Sequence, residues 1–305
     1  MSILVIGSSN TDLVVRSEKM PKPGETLLGG TFFVNPGGKG ANQAVAAARL
    51  GERITFCCMT GCDDYGRAAK QLFDREGIDT SYVFSTPDCA SGVALIIVDA
   101  KGENSIVVAS GANLKLLPED IDRIECYENF DIVLCQLETP VETVCHAARR
   151  VKRNGGRFVL NPAPACALPD DLLSMVDIIT PNETEAEFLS GVKISDCDSA
   201  VKAAEVLAGK GIGTVIITLG SKGALLYQDG RSEVIPAFKV KAVDTTAAGD
   251  VFNGALCVAL SEGKDMRQAI RFAQAASSIA VTRPGAQQSA PSREDVEKVL
   301  NKSNE

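Results

Sequence analysis

The chain has 305 residues, 45% of them hydrophobic, enough for one large α/β domain or two smaller ones. Its formal net charge of -8 argues against general binding to nucleic acid or an anionic membrane, so an anionic substrate would need a local positive potential. His146 is the only histidine and sits in a helical pattern after Pro140; read as structural, it leaves no multi-histidine metal site and no base for a serine triad.

The N-terminal stretch MSILVIGSSN is too short and uncharged for a signal peptide and reads as a first strand ending at Gly7. Further apolar strands are expected at 54–58, 132–137, 157–161, 177–180 and 214–218. Helical patterns lie between them near 40–50, 65–76, 141–154, 198–209, 250–262 and 266–282. Continuous apolar strands separated by helices imply an α/β fold with a mainly parallel central sheet and helices on both faces. Ligands of such sheets bind beyond the carboxyl ends of the strands.

Residues 11–35 and 90–110 depart from that pattern and read as strands without helices, the second with a hairpin signal, DAKGEN. Two arrangements fit them, a small separate sheet that serves as a lid or an extension of the main sheet; the expectation is a small β-sheet lid, leaving 1–10, 36–89 and 111–305 as the core. A lid of one sheet would expose Val93, Leu95 and Ile97, so a homodimer through the lids is expected. The ten cysteines include adjacent Cys57 and Cys58 in an apolar run and form no CxxC pair; buried reduced thiols in a cytoplasmic protein are expected. No apolar run is long enough to span a bilayer. Polar residues near 301–305 read as a frayed tail.

VDTTAAGDVFNGAL (243–256) places small residues directly before an acid and an apolar helix. Ala247, Ala248 and Gly249 let another molecule approach the backbone, and the first turn of a helix offers free N–H groups to an anion. Asp250 in that turn has two readings. It caps or complements the helix dipole, or it accepts a proton beside an anion hole, as phosphoryl transfer requires.

A second glycine turn, NPGGKGANQAVAAARLG (35–51), also runs into a helix, with Lys39 and Asn42 near its start; it is not a Walker A loop, because Gly40 follows Lys39. In QLETP, Glu138 lies just outside an expected capping box of Thr139, Pro140 and Glu142. In TPNETEAE, Asn182 and Glu185 have capping-box spacing. TLGSKG (218–223) is a glycine loop after a strand.

Together these elements resemble the ribokinase branch of the PfkB-type sugar kinases: GGKGANQAVAAARLG is similar to that family's first signature, and DTTAAGDVFNGAL to its second. The resemblance implies a ribokinase-like fold and ATP-dependent phosphorylation of D-ribose at the 5-hydroxyl. It makes Asp250 the catalytic base and Ala247, Ala248 and Gly249 the anion hole. It assigns the sugar to Asn10, Asp12, Gly38, Lys39, Asn42, Glu138 and Asp250. It assigns the nucleotide to Asn182, Thr218, Gly220, Ser221, Gly223, Gly249 and Gln274. Mg²⁺ is implied near Glu185, held through water. K⁺ is implied at Asp244, Thr246, Ala280, Arg283, Gly285 and Ser289, mostly through carbonyls, with the Arg283 side chain turned away. A kinase for 2-deoxyribose, fructose or adenosine remains open, as does a sugar-binding regulator without catalysis.

Overall fold

The computed structural model describes residues 2–302; Met1 and residues 303–305, the end of the expected frayed tail, lie outside the described residues. The strands in chain order are β1 (Ile3–Ile6), β2 (Asn10–Arg16), β3 (Thr31–Gly37), β4 (Ile54–Gly61), β5 (Asp79–Thr86), β6 (Gly92–Val98) and β7 (Asn104–Ala109). They continue with β8 (Ile132–Cys135), β9 (Arg157–Leu160), β10 (Ile178–Ile179), β11 (Thr214–Thr218), β12 (Ala224–Gln228) and β13 (Arg231–Ile235). The helices are α1 (Lys39–Arg49), α2 (Asp64–Arg75), α3 (Pro118–Asp122), α4 (Val141–Asn154) and α5 (Asp170–Leu173). After them come α6 (Glu183–Ser190), α7 (Cys197–Gly209), α8 (Ala248–Ser261), α9 (Met266–Ala280) and α10 (Arg293–Lys302).

The large sheet runs β13-β12-β11-β10-β9-β8-β1-β4-β5. Pairing is parallel from β11 to β5, while β12 and β13 add an antiparallel edge. Strand alternation makes two cores from one run. Ile3 and Val5 join Phe56, Leu134 and the helices α1, α8 and α9 on one face; Leu4 and Ile6 join Cys57, Val133 and the helices α4 and α7 on the other. Each fully buried aliphatic side chain contributes about 1.5–3 kcal/mol, so both faces hold the sheet.

The second sheet has the order β3-β2-β6-β7. Register places Leu13 beside Val34 and Leu95, and Val107 beside Leu95. Asp12, one residue out of phase, faces the other way, toward the ends of the large sheet. The apolar face opposite Asp12 stays open: Leu95 is 54% exposed, Phe32 60% and Val107 68%.

Three local expectations change. Helix α4 starts at Val141 with Pro140 as its cap residue and no side-chain cap, so Thr139 and Glu142 form no capping box. The Pro140 carbonyl accepts from the Thr143 and Val144 N–H groups instead, and Thr139 is buried. The strand expected at 132–137 stops at Cys135, and that at 177–180 shrinks to two paired residues. The sequence reading omits β5 and the β12–β13 hairpin, although Asp229 and Gly230, both at positive φ, form a recognisable hairpin turn.

Candidate active site

The two glycine-led helix starts behave differently. At α1 the early amides are spent inside the protein. Lys39 N–H donates to Glu138 Oε2 at 3.0 Å, Gly40 N–H to Ser8 Oγ at 3.3 Å and Ala41 N–H to the Ser8 carbonyl at 2.9 Å. At α8 the Ala248 N–H closes a turn onto the Thr245 carbonyl at 3.2 Å, so of the three expected anion-hole residues its amide is engaged. The Ala247, Gly249 and Asp250 N–H groups are the ones left over at this helix start. Ala247, just before the helix, has φ 57°, a left-handed conformation that costs an alanine about 1 kcal/mol or more and accumulates at functional sites. A Cβ built on Gly249 meets nothing within 4 Å, so the space above this amide is open.

Asp250 is buried, and both its oxygens are held: Asn42 Nδ2 donates to Oδ2 at 2.8 Å and Gln43 Nε2 to Oδ1 at 3.0 Å. Burial raises its pKa, opposed by Lys39 and by the Asn42 and Gln43 amides. Asn42, expected to contact sugar, thus first contacts the acid; its Oδ1 is buried without a partner.

Of the other expected sugar residues, Lys39, Glu138 and Asp12 lie close enough to this acid to act on its charge or feel it. Asn10 and Asp12 lie on β2, Gly38 is the cap of α1, Lys39 opens α1, and Glu138 follows β8. Glu138 is also held by the Ser8 hydroxyl at 2.5 Å. Asn10 Oδ1 accepts from Asn113 Nδ2 at 2.7 Å, and Gly92 leaves room for the pair, since a Cβ there would sit 2.1 Å from Asn10 Oδ1. Asp12 is pushed up to about 6, first by burial and then by the charges of Glu138 and Asp250. Burial pulls the Lys39 amine down, but Asp250, Glu138 and Glu185 outweigh it and raise the net value, so Lys39 stays a cation among carboxylates.

Asn182, Thr218, Gly220, Ser221, Gly223, Gly249 and Gln274 all line one cleft of about 580 Å³. A parallel bridge between Asn182 and Thr218 brings two of the loops together. The cleft also has an apolar wall that the sequence reading lacks, including Phe238, Val240, Phe252 and Val281. Gln274 donates to the Ile235 carbonyl at 2.8 Å, and its buried Oε1 has no partner. A second, smaller cavity holds Lys39, Glu185 and Asp250 and shares Asn182, Thr218, Ala248 and Gly249 with the first. The two meet at the head of α8.

Asn182 and Glu185 form the expected capping box, with bonds of 2.8 and 2.9 Å. Burial raises the Glu185 pKa, against Lys39 and the Asn182 N–H. Asp244 accepts from the Thr246 and Gly285 N–H groups, each at 2.9 Å. Arg283 pairs through its guanidinium with Asp295 at 2.9 Å. No group of three or more metal-ligating His, Cys, Asp or Glu side chains occurs among the described residues.

Sequence reasoning missed Ser8, Gln43, Asn113 and Asn161, whose bonds to Glu138, Asp250, Asn10 and Gln43 span 103 to 207 residues. Gln43 had one available signal: it neighbours Asn42 on a helix start, where both amides can face the same acid.

Residues 1–293 match the model of the pfkB family of carbohydrate kinases. The chain is 50% identical over 295 residues to a ribokinase of Haemophilus influenzae, covering 96% of each protein. It is 40% identical over 302 residues to a deoxyribokinase of Salmonella typhimurium, covering 98% of this chain and 99% of that one. A solved structure of Arabidopsis thaliana ribokinase complexed with ribose and ATP superposes with a TM-score of 0.92, at 36% identity and 98% coverage of both chains. The chain belongs to the pfkB family of carbohydrate kinases, with the ribokinase-like α/β fold. It is therefore a phosphotransferase acting on a carbohydrate.

Proposed function

We propose that the protein transfers the γ-phosphoryl group of ATP to the 5-hydroxyl of D-ribose, giving ribose 5-phosphate and ADP. One observation carries the reading: a buried acid and three unspent amides stand together where a polar cavity meets a 580 Å³ cleft with an apolar wall. Asn10, Asp12, Lys39 and Glu138 hold the sugar hydroxyls. The adenine lies along Phe238, Val281 and Gln274, and the phosphates reach Asn182, Gly220 and Gly249. The O5–Pγ bond forms as the bond from Pγ to the bridging oxygen of ADP breaks. The O5 proton passes to Asp250. The Gly249 amide and Lys39 balance charge on the transferred group.

Glu185 fits Mg²⁺ held through water, because it is one carboxylate with an oxygen beyond its capping bond and Mg²⁺ keeps much of its hydration. The metal would neutralise phosphate charge. Asp244 and the loop 280–289 fit K⁺: Ser289 donates its proton to the Ala286 carbonyl, which leaves the hydroxyl oxygen's lone pairs, and Arg283 turns its charge to Asp295. We place a second copy of the chain on the apolar face of the small sheet and read that sheet as a lid that excludes water. The cytoplasm suits its ten unpaired thiols; no described helix is long and apolar enough to cross a membrane.

The Salmonella relative favours 2-deoxyribose as a second reading. ADP release from MgATP decides, with ribose, 2-deoxyribose, fructose and adenosine compared in potassium and in sodium. Ribose-dependent release, strongest in potassium, is expected. Preference for another acceptor overturns the sugar assignment, and ribose binding without turnover overturns the kinase assignment.

A further inference from the structure

Asp250 is gripped from behind by an amide that the proposed reaction does not use. Gln43 Nε2 lies 3.0 Å from Asp250 Oδ1 and 3.0 Å from Asn161 Oδ1, and Gln43 Oε1 accepts from Gln136 Nε2 at 2.6 Å. Gln43 and Gln136 are fully buried, and neither lines the two cavities that meet at α8.

The direction of each bond is dictated from the ends of the network. A carboxylate only accepts, so Gln43 must present its NH₂ group to Asp250. Asn161 Nδ2 donates to the Thr180 carbonyl at 3.2 Å. The Thr180 hydroxyl donates to Asn253 Oδ1 at 2.6 Å, and Asn253 Nδ2 donates to the Gly249 carbonyl at 2.8 Å. The network therefore joins the acid to the peptide of Gly249. Backbone packing keeps it closed: a Cβ on Gly254 would lie 2.6 Å from the Gln43 carbonyl, and one on Gly7 would lie 2.0 Å from Gln136 Oε1.

We propose that Gln43 is a positioning residue: Gln136 and Asn161 fix its amide so that it holds Asp250 Oδ1 and leaves Oδ2, shared with Asn42, to meet the attacking hydroxyl. The inference rests on Asp250 as the base. The charged groups that act with Asp250 are Lys39 on α1, Glu138 after β8, Asp12 on β2 and Glu185 on α6. A substitution at Gln43 leaves all four in place, so a moved pH profile reports the lost amide.

The test compares Gln43→Met, Gln43→Glu, Gln136→Met and Asp250→Asn in the full chain. It reads kcat, both KM values, the pH profile and the melting temperature. Gln43→Met is expected to lower kcat roughly 10- to 100-fold, the scale of a small misplacement of a reacting group. Its ribose KM should stay within about threefold, the pattern of an interaction that matters only in the transition state. The acid limb of kcat/KM should rise, because a donor to the ionised acid is lost. Gln43→Glu should raise it further, because two adjacent carboxylates then share a proton. Gln136→Met should act in the same direction, more weakly, and decides the matter if Gln43→Met does not fold. A folded Gln43→Met protein with the parent kcat and pH profile, beside an inactive Asp250→Asn, overturns this proposal alone. Losses of rate that merely track the folded fraction, with the acid limb unmoved, overturn it too. An active Asp250→Asn removes the base assignment and this proposal with it.

Discussion

The starts of α1 and α8 look alike in composition, each a run of small residues leading into a helix, yet they do opposite things with their amides. At α1 the N–H groups of Lys39, Gly40 and Ala41 are taken by Glu138 and Ser8. At α8 those of Ala247, Gly249 and Asp250 are left over, and the space beside Gly249 is open. A glycine-rich helix start is therefore not in itself an anion site. What matters is whether the rest of the chain supplies acceptors. At α1 the end of β1 and the loop after β8 do so, and the helix start becomes a scaffold that presents Lys39 and Asn42.

The largest test of this contrast is Asp250→Asn. It should cut kcat by about 10²–10⁴-fold, the size of a lost general base, in a protein that still melts cooperatively. ADP release in a folded sample measures it, and a near-parent rate would reassign Asp250 to helix capping.

Next comes Gly249→Val. A Cβ at this position meets nothing within 4 Å, so the melting temperature should change little while ATP turnover falls by at least about tenfold, because the side chain enters ligand space. Equal losses of stability and turnover would mean the space is structural.

The third prediction concerns pH. Asp12 titrates at about 6 in the free protein, so below that it is protonated and is lost as a full acceptor for sugar hydroxyls. Ribose KM should rise by up to about tenfold per pH unit below the pKa, the limit for one linked proton. Asp12→Asn should flatten that dependence. The stability sign is opposite: the folded state keeps this proton between 3.8 and about 6 while the unfolded chain releases it, so this group's contribution falls as pH rises through that window.

The smallest effect on activity is expected at the scaffold. Gly40→Ala places a Cβ 2.6 Å from the Ser8 amide nitrogen and should cost about 1–3 kcal/mol of stability by overpacking. Urea unfolding measures it. Turnover per folded molecule should change far less than in Gly249→Val. The reverse ranking would make α1 the phosphate site.

Local chemistry was readable without coordinates wherever a residue's role depends on its neighbours in the chain. Runs such as ILVI and TVIIT are apolar on both faces, so they announced buried parallel strands. Asn182 and Glu185, three apart, announced their capping box. AAGD announced a helix start with an acid in its first turn. The hairpin at Asp229-Gly230 was equally legible and shows that a short signal is easily passed over beside stronger ones. Only the tertiary structure decided which amides remain free, because the acceptors that consume those of α1 come from Ser8 and Glu138, far along the chain. It alone set the exposed face of the small sheet, through the register that places Leu13 beside Leu95. It alone brought Gln43 and Asn42 onto Asp250, 207 and 208 residues away. Hydrogen bonds over such separations leave no periodicity in the sequence, since they are made by the packing of α1 against α8 and not by spacing along either helix.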